Sequence, residues 1–84
     1  MKNETREAIF KLIDKLDPFA VGNCTGEIDG KRVVVRVYET EQPRTVMVVY
    51  DGVEILKVSD ESFANEVFEY IQEKNEDFIF SLVS

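Results

Sequence analysis

The side chains of this sequence that could do chemistry are its carboxylates and one thiol. The chain has 84 residues, of which 17 are Asp or Glu, and it contains a single cysteine, Cys24, and no histidine. Histidine is the commonest general base, the usual partner of a catalytic Ser or Cys, and the commonest metal ligand. Its absence removes all three roles together, and one cysteine alone does not predict a zinc site.

Cys24 lies in the sequence Gly-Asn-Cys-Thr-Gly, residues 22–26, whose spacing is that of a nucleophile elbow with Cys in place of Ser. Such an elbow needs a helix directly after the nucleophile and a base to activate it, and the sequence indicates neither. We therefore interpret Cys24 as a small apolar residue that faces the core from a strand. No Walker loop, dinucleotide fingerprint or EF-hand loop occurs, so we predict no cofactor, metal or catalytic residue.

A small hydrolase with two carboxylates is the enzyme alternative, because carboxylates are plentiful. Such a site needs acids that converge in a cleft. Most acids here fall on helix surfaces or at turns such as Asp29 and Asp51, and a chain of this length has little volume for a pocket. The sequence therefore favours a non-enzymatic role.

The acids are concentrated in one segment of the chain. Residues 60–77 carry seven acids and one base, Lys74, whereas the rest of the chain carries ten acids and nine bases, for a net charge of −7. Four glutamates of the segment recur at steps of three or four residues, which places them on one helix face: Glu66, Glu69, Glu73 and Glu76. We call these four side chains the acidic surface.

Two interpretations of the acidic surface are open. It is either a solvated helix face that keeps an acidic protein dissolved, or a docking surface for a basic macromolecule. The sharper form of the second interpretation is phosphate mimicry, in which carboxylates inhibit a nucleic-acid-binding protein by occupying its groove. The net negative charge argues against direct binding to nucleic acid or to an anionic membrane.

The elements that would position these residues follow from hydrophobic periodicity and turn signals. Residues 4–16 have apolar side chains at helical spacing, with Asn3 as a candidate cap, and Asp17-Pro18 ends the helix. Asp29-Gly30 and Asp51-Gly52 each predict a tight hairpin, because Asp-Gly supplies the positive φ angles of a type I′ turn. The predicted strands are Phe19–Ile28, Lys31–Glu39, Thr45–Tyr50 and Val53–Val58.

The first hairpin also predicts a register. Pairing Ile28 with Lys31 places Cys24 opposite Val35 on the core side and Glu27 opposite Arg32 on the other side. The same alternation places Gly26 and Gly22 opposite valines, where their lack of side chains leaves room for a helix to approach. Arg32 and Arg36 share one face and could bind an anion, but Glu27 favours structural pairing of Arg32.

Residues 60–74 predict a second helix, capped by Ser59 or Asp60. The helical wheel favours a short third helix over residues 76–84, with Phe78, Ile79, Leu82 and Val83 facing inward, and the alternative for this segment is a fifth strand. The predicted fold class is therefore α+β, a single domain over residues 1–84. It is a four-stranded antiparallel meander with helices on one face, in the order α-β-β-β-β-α-α.

The sheet face away from the helices is expected to keep apolar residues, including Val21, Val34 and Tyr38. Exposed apolar patches of this kind usually mark interfaces, so a homodimer through the open face or an edge strand is the competing function. The unpaired cysteine and the absence of an apolar leader predict a cytoplasmic protein without a membrane anchor. The sequence identifies no family.

Overall fold

The computed structural model describes residues 2–83 and shows two helices and five strands. The helices are α1 (Asn3–Asp14) and α2 (Glu61–Val83). The strands are β1 (Asp17–Ala20), β2 (Asn23–Ile28), β3 (Lys31–Tyr38), β4 (Thr45–Tyr50) and β5 (Val53–Ser59). They form one sheet in chain order, with each strand antiparallel to its neighbour. The α+β class is confirmed, whereas the four-stranded sheet and the order α-β-β-β-β-α-α are wrong.

The extra strand comes from a turn that the sequence prediction missed. The predicted strand Phe19–Ile28 is interrupted at Val21 and Gly22, so that β1 folds back on β2 and Ala20 pairs with Asn23. Gly22 has a φ of 69°, which glycine adopts without the steric cost that a side chain would impose. Val21 therefore lies in a turn and not in the continuous strand predicted over Phe19–Ile28.

The two Asp-Gly hairpins and the register of the first one are confirmed. All four turn residues have positive φ, at 54° and 76° in the first turn and 52° and 80° in the second. Ile28 pairs with Lys31, Cys24 with Val35, and Glu27 with Arg32. The chemistry of two turn residues thus fixes which side chains of β2 and β3 face the helices.

The core lies between one face of the sheet and both helices. Alternate residues of the central strands are buried there, together with residues of α1, α2 and the segment after α1: Cys24, Val33, Val35, Val37, Val46, Val48, Ile9, Ile13, Leu16, Phe63, Ala64, Val67 and Ile71. Each fully buried Val, Leu or Ile side chain contributes about 1.5–3 kcal/mol. We call the opposite side of the sheet the open face. Val34, Tyr38, Met47 and Val49 are only partly buried on it.

The first helix is shorter than predicted. It ends at Asp14 rather than at residue 16, and its N-cap is Lys2, whose side chain makes no capping hydrogen bond, rather than Asn3. Asp17 and Pro18 already belong to β1, so the chain must leave the helix two residues earlier to reach the sheet. Leu16 is nonetheless fully buried and closes the core beside β2.

The C-terminal region is one continuous helix. Of the two predicted caps of α2, Ser59 and Asp60, the structure shows Asp60. Its Oδ1 accepts a hydrogen bond of 3.0 Å from the amide of Phe63. The separate third helix over residues 76–84 and the alternative fifth strand are both wrong, and Ser84 lies outside the described residues. No Gly or Pro occurs after residue 60, so nothing in the sequence breaks the helix near residue 75.

The close approach of the helices depends on glycines in the sheet. A Cβ built on Gly26 would lie 2.8 Å from Cδ2 of Leu16, and one built on Gly22 would lie 3.1 Å from the ring of Phe68. These are the two glycines that the sequence placed on the core side of β2. The space beside Gly22 is therefore occupied by Phe68 of α2, and the space beside Gly26 by Leu16 in the segment after α1.

We expect Gly26→Ala to destabilise the protein by about 1–3 kcal/mol, because the added methyl group would lie 2.8 Å from Cδ2 of the buried Leu16, which must shift within the packed core. Urea denaturation would measure the loss. The same substitution made together with Leu16→Val, which removes Cδ2, should cost much less. Equal costs in the two backgrounds would contradict the close contact between these residues.

Candidate functional site

The acidic surface is carried by the middle of α2. Two hydrogen bonds attach the first turns of α2 to Arg44, the residue before β4. The amide of Arg44 donates to Glu61 at 2.8 Å, and its guanidinium donates to Asn65 at 2.8 Å. Phe63, Val67 and Ile71 then face the core, which turns the glutamates outward. The helix thus presents the predicted side chains on a rigid support.

Three of the four predicted glutamates are exposed and unpaired. Glu69, Glu73 and Glu76 make no ion pair with any residue between positions 2 and 83. Glu66 differs, because its carboxylate accepts a hydrogen bond from the guanidinium of Arg6 on α1. The base that pairs with Glu66 is therefore supplied by α1 and not by the acidic segment itself. Arg6 is far away in sequence, so the periodicity of α2 could not reveal it.

Lys74, the one base of the acidic segment, lines a surface depression together with Glu73 but forms no ion pair with a described residue between positions 2 and 83. Its Nζ donates a hydrogen bond of 2.6 Å to the carbonyl oxygen of Ile13, near the C-terminus of α1. A cation is favourable there, because the last carbonyls of a helix carry partial negative charge. Lys74 therefore stabilises the junction of the two helices and leaves the adjacent glutamates uncompensated.

A shallow groove runs between α1 and α2 beside the acidic surface. It is lined by the aromatic Phe10 and Tyr70 and by charged residues of both signs, namely Arg6, Glu7, Lys11 and Asp14. Phe10 makes edge-to-face contacts with Phe63 and Tyr70 at centroid distances of 5.9 and 5.0 Å. Tyr70 donates its hydroxyl hydrogen to Asp14, and this hydrogen bond, with a smaller effect of burial and of the nearby Glu73, raises the pKa of Tyr70. The groove can offer hydrogen bonds and an aromatic surface to a ligand.

The pair of arginines on the open face is not an ion-paired cluster. Arg32 lies opposite Glu27 as predicted, but its guanidinium donates to the hydroxyl of Thr25 at 3.3 Å. Arg36 donates to the side-chain oxygen of Asn23 at 3.0 Å and lies over the ring of Tyr38. Neither arginine forms an ion pair with a described residue, so the expected Glu27–Arg32 ion pair is absent between positions 2 and 83.

One surface was missed by the sequence prediction. Five large apolar side chains near the end of α2 are 43–77% exposed, and we call them the apolar tip: Phe78, Ile79, Phe80, Leu82 and Val83. The prediction that Phe78, Ile79, Leu82 and Val83 face inward is wrong, because all four side chains are exposed. The signal that could have revealed the tip is the charge-free run after Asp77, which is apolar on more than half of the helix circumference.

Searches of protein-family models, of curated proteins and of solved structures found no match to this chain. In the part of the chain that the structure describes, no helix is long and apolar enough to cross a membrane. Within the same residues, no group of three His, Cys, Asp or Glu side chains is placed to hold a metal ion.

The assignment of Cys24 to the core is confirmed. The side chain is fully buried opposite Val35, and burial raises the pKa of its thiol to about 11. Lys74 lowers this pKa by a smaller amount, and Asp17 raises it slightly. The thiol is therefore neutral near neutral pH, whereas a reactive cysteine needs its thiolate.

We expect Cys24 in the folded protein to react with iodoacetamide at least about 100-fold more slowly than in urea, because its pKa is raised from 9.0 to about 11 and the thiol is buried. Mass spectrometry of the alkylated protein near pH 8 would measure both rates. A variant with Cys24→Ala and Ser62→Cys supplies an exposed thiol as control. Equal rates for Cys24 and the exposed thiol would contradict the buried position.

Proposed function

We propose that this protein is a non-enzymatic interaction module whose acidic surface on α2 binds a basic macromolecule. The observation that carries the proposal is the exposure of Glu69, Glu73 and Glu76 without a cationic partner among residues 2–83. Like charges at three- and four-residue spacing repel one another, at a cost of a few tenths of a kcal/mol for each pair. A basic partner would relieve this repulsion. Lys74 donates its hydrogen bond to Ile13 and forms no ion pair with these glutamates.

The spacing of the acids supports phosphate mimicry as the form of this binding. Each helical residue advances about 1.5 Å, so the unpaired Glu69 and Glu76 are about 10 Å apart along the axis, and Glu69, Glu73 and Glu76 are about 5 Å apart on average. One strand of double-helical DNA presents a phosphate about every 3.4 Å. The acidic surface thus has about two-thirds of the charge density of a nucleic-acid strand. We infer a partner whose groove normally binds nucleic acid, with inhibition as the consequence.

The groove between the helices adds a second kind of contact to the proposed site. Phe10 and Tyr70 are aromatic and lie beside the glutamates, and the hydroxyl of Tyr70 is already bonded to Asp14. Nucleic-acid-binding grooves combine cations with groups that stack on bases. In the proposed complex, the carboxylates would bind the cations of the partner's groove, and the aromatic rings would contact its stacking groups.

The chain itself is not proposed to bind nucleic acid or a membrane, because its net charge is −7. The buried and unpaired Cys24 suits a reducing compartment, so a cytoplasmic location is part of the proposal.

The test is a pull-down from native lysate with wild type and a Glu69→Gln, Glu73→Gln, Glu76→Gln variant, eluted with a salt gradient. We expect wild type to retain a basic protein and the variant to lose it. Elution should begin at modest salt, since exposed charges are screened beyond about 10 Å at 0.1 M. The captured protein, once purified, should lose its nucleic acid when wild type is added.

A matched control changes the same number of exposed acids elsewhere, through Glu39→Gln, Glu41→Gln and Glu54→Gln. This variant has the same net charge as the first one and should bind as wild type does. Thermal melts should show that the α2 variant is at least as stable as wild type, because it removes repulsion. Equal capture by all three proteins, or no capture, would contradict the proposal. The acidic surface would then be a solvated helix face without a binding role.

A further inference from the structure

The five apolar side chains of the tip are exposed among the described residues 2–83, because α2 extends past the sheet. At its start α2 is bonded to Arg44, which precedes β4, and further along Gln72 accepts a hydrogen bond of 3.1 Å from the amide of Gly22, between β1 and β2. The helix therefore crosses the sheet from the β4 side to the β1 side. Every residue from 76 to 83 is exposed, since no strand lies below this part of the helix.

The length of the projection is enough to reach across a neighbouring sheet. From Gln72 to Val83 the helix advances about 16 Å, at about 1.5 Å per residue. Strands in a sheet are about 4.8 Å apart, so this length spans about three strands. The tip could thus cover β1, β2 and β3 of a second sheet that lies beside β1.

The open face near β1 offers a surface that suits the tip. Phe19 on β1 is 59% exposed, and Tyr38 on β3 is only partly buried. Arg36, two residues before Tyr38 on β3, is exposed, and the partners of its guanidinium among residues 2–83 are the neutral Asn23 and Tyr38. Residues 75–83 carry two acids and no base, so the charges of the two surfaces are opposite.

The same chain cannot bring these two surfaces together. α2 packs on the core face of the sheet, whereas the open face is on the other side. A second copy can do so. A two-fold axis that runs along the strands beside β1 turns the second sheet over, so that the tip of each protomer lies above the open face of the other. The two contacts form together and the assembly closes, as point-group symmetry requires.

We propose that two copies of this chain form such a reciprocal dimer, in which the apolar tip of each α2 covers the open face of the partner next to β1. The tip exposes on the order of 500 Å² of apolar surface, judged from the area of its aromatic and aliphatic side chains. Stable interfaces bury about 800 Å² on each partner. One tip alone falls short of this area, whereas each protomer of the reciprocal dimer contributes both a tip and an open face.

Sedimentation velocity from low micromolar to near-millimolar concentration tests the dimer with two variants at exposed positions. The tip variant carries Phe80→Glu and Leu82→Glu, and the face variant carries Phe19→Glu and Arg36→Glu. We expect wild type to sediment as a dimer and each variant to dimerise at least about 100-fold more weakly, because buried glutamates would face apolar or acidic surface. Circular dichroism melts would verify that both variants fold.

Mixing the two variants distinguishes the reciprocal dimer from other arrangements. In a mixed pair, the intact tip of the face variant can cover the intact open face of the tip variant, so one of the two contacts survives. We expect the mixture to form a heterodimer at concentrations where each variant alone is monomeric. The control Val53→Glu changes an exposed apolar residue beside the second Asp-Gly turn, away from the contact, and should leave the dimer intact.

Four results would overturn the proposal. First, wild type could remain monomeric at all concentrations. Second, it could remain monomeric and bind phosphatidylcholine vesicles, which would assign the tip to a lipid surface. The face variant could dimerise as wild type does, which would indicate pairing of tip with tip. Wild type could grow beyond two chains, which would indicate an open series of contacts. The proposal does not rest on the acidic surface, so it can fail or hold independently of the proposed function.

Discussion

The close approach of α2 and of the end of α1 to β2 is the constraint on which the rest of the structure depends. Gly26 lies under Leu16 and Gly22 lies under Phe68, and neither position has room for a side chain. With the helices held at this distance, Phe10 can contact rings on both sides, and Lys74 can reach the carbonyl of Ile13. Two missing side chains in the sheet thus decide the position of both helices.

The helix packing also determines where charge is left uncompensated. Two bases, Arg6 and Lys74, make contacts between α1 and α2. Arg6 pairs with Glu66, while Lys74 is directed to the end of α1. The remaining glutamates, Glu69, Glu73 and Glu76, form no ion pair with any residue between positions 2 and 83. Their repulsion is small for each pair, so the stability of the fold does not require a partner. The charge is therefore free to serve binding.

The sequence predicts those parts of the fold that depend on neighbouring residues. The two Asp-Gly turns have the positive φ angles that their chemistry implies, and they set the register that buries Cys24. The turn at Val21 and Gly22 was missed because a single glycine in an apolar stretch also suits a continuous strand. The Arg6–Glu66 pair was missed for a different reason: it joins residues on separate helices, and no local pattern records it.

The apolar tip shows where a hydrophobic pattern stops being informative. Phe78, Ile79 and Leu82 have the spacing of a helix face that packs inward, and the segment does form a helix. Periodicity states which side of a helix is apolar, but it does not state how far the sheet beneath extends. In this protein the sheet ends at β1 while α2 continues. The apolar surface is therefore left exposed among the described residues 2–83, and hydrating it carries a free-energy cost that the proposed dimer would remove.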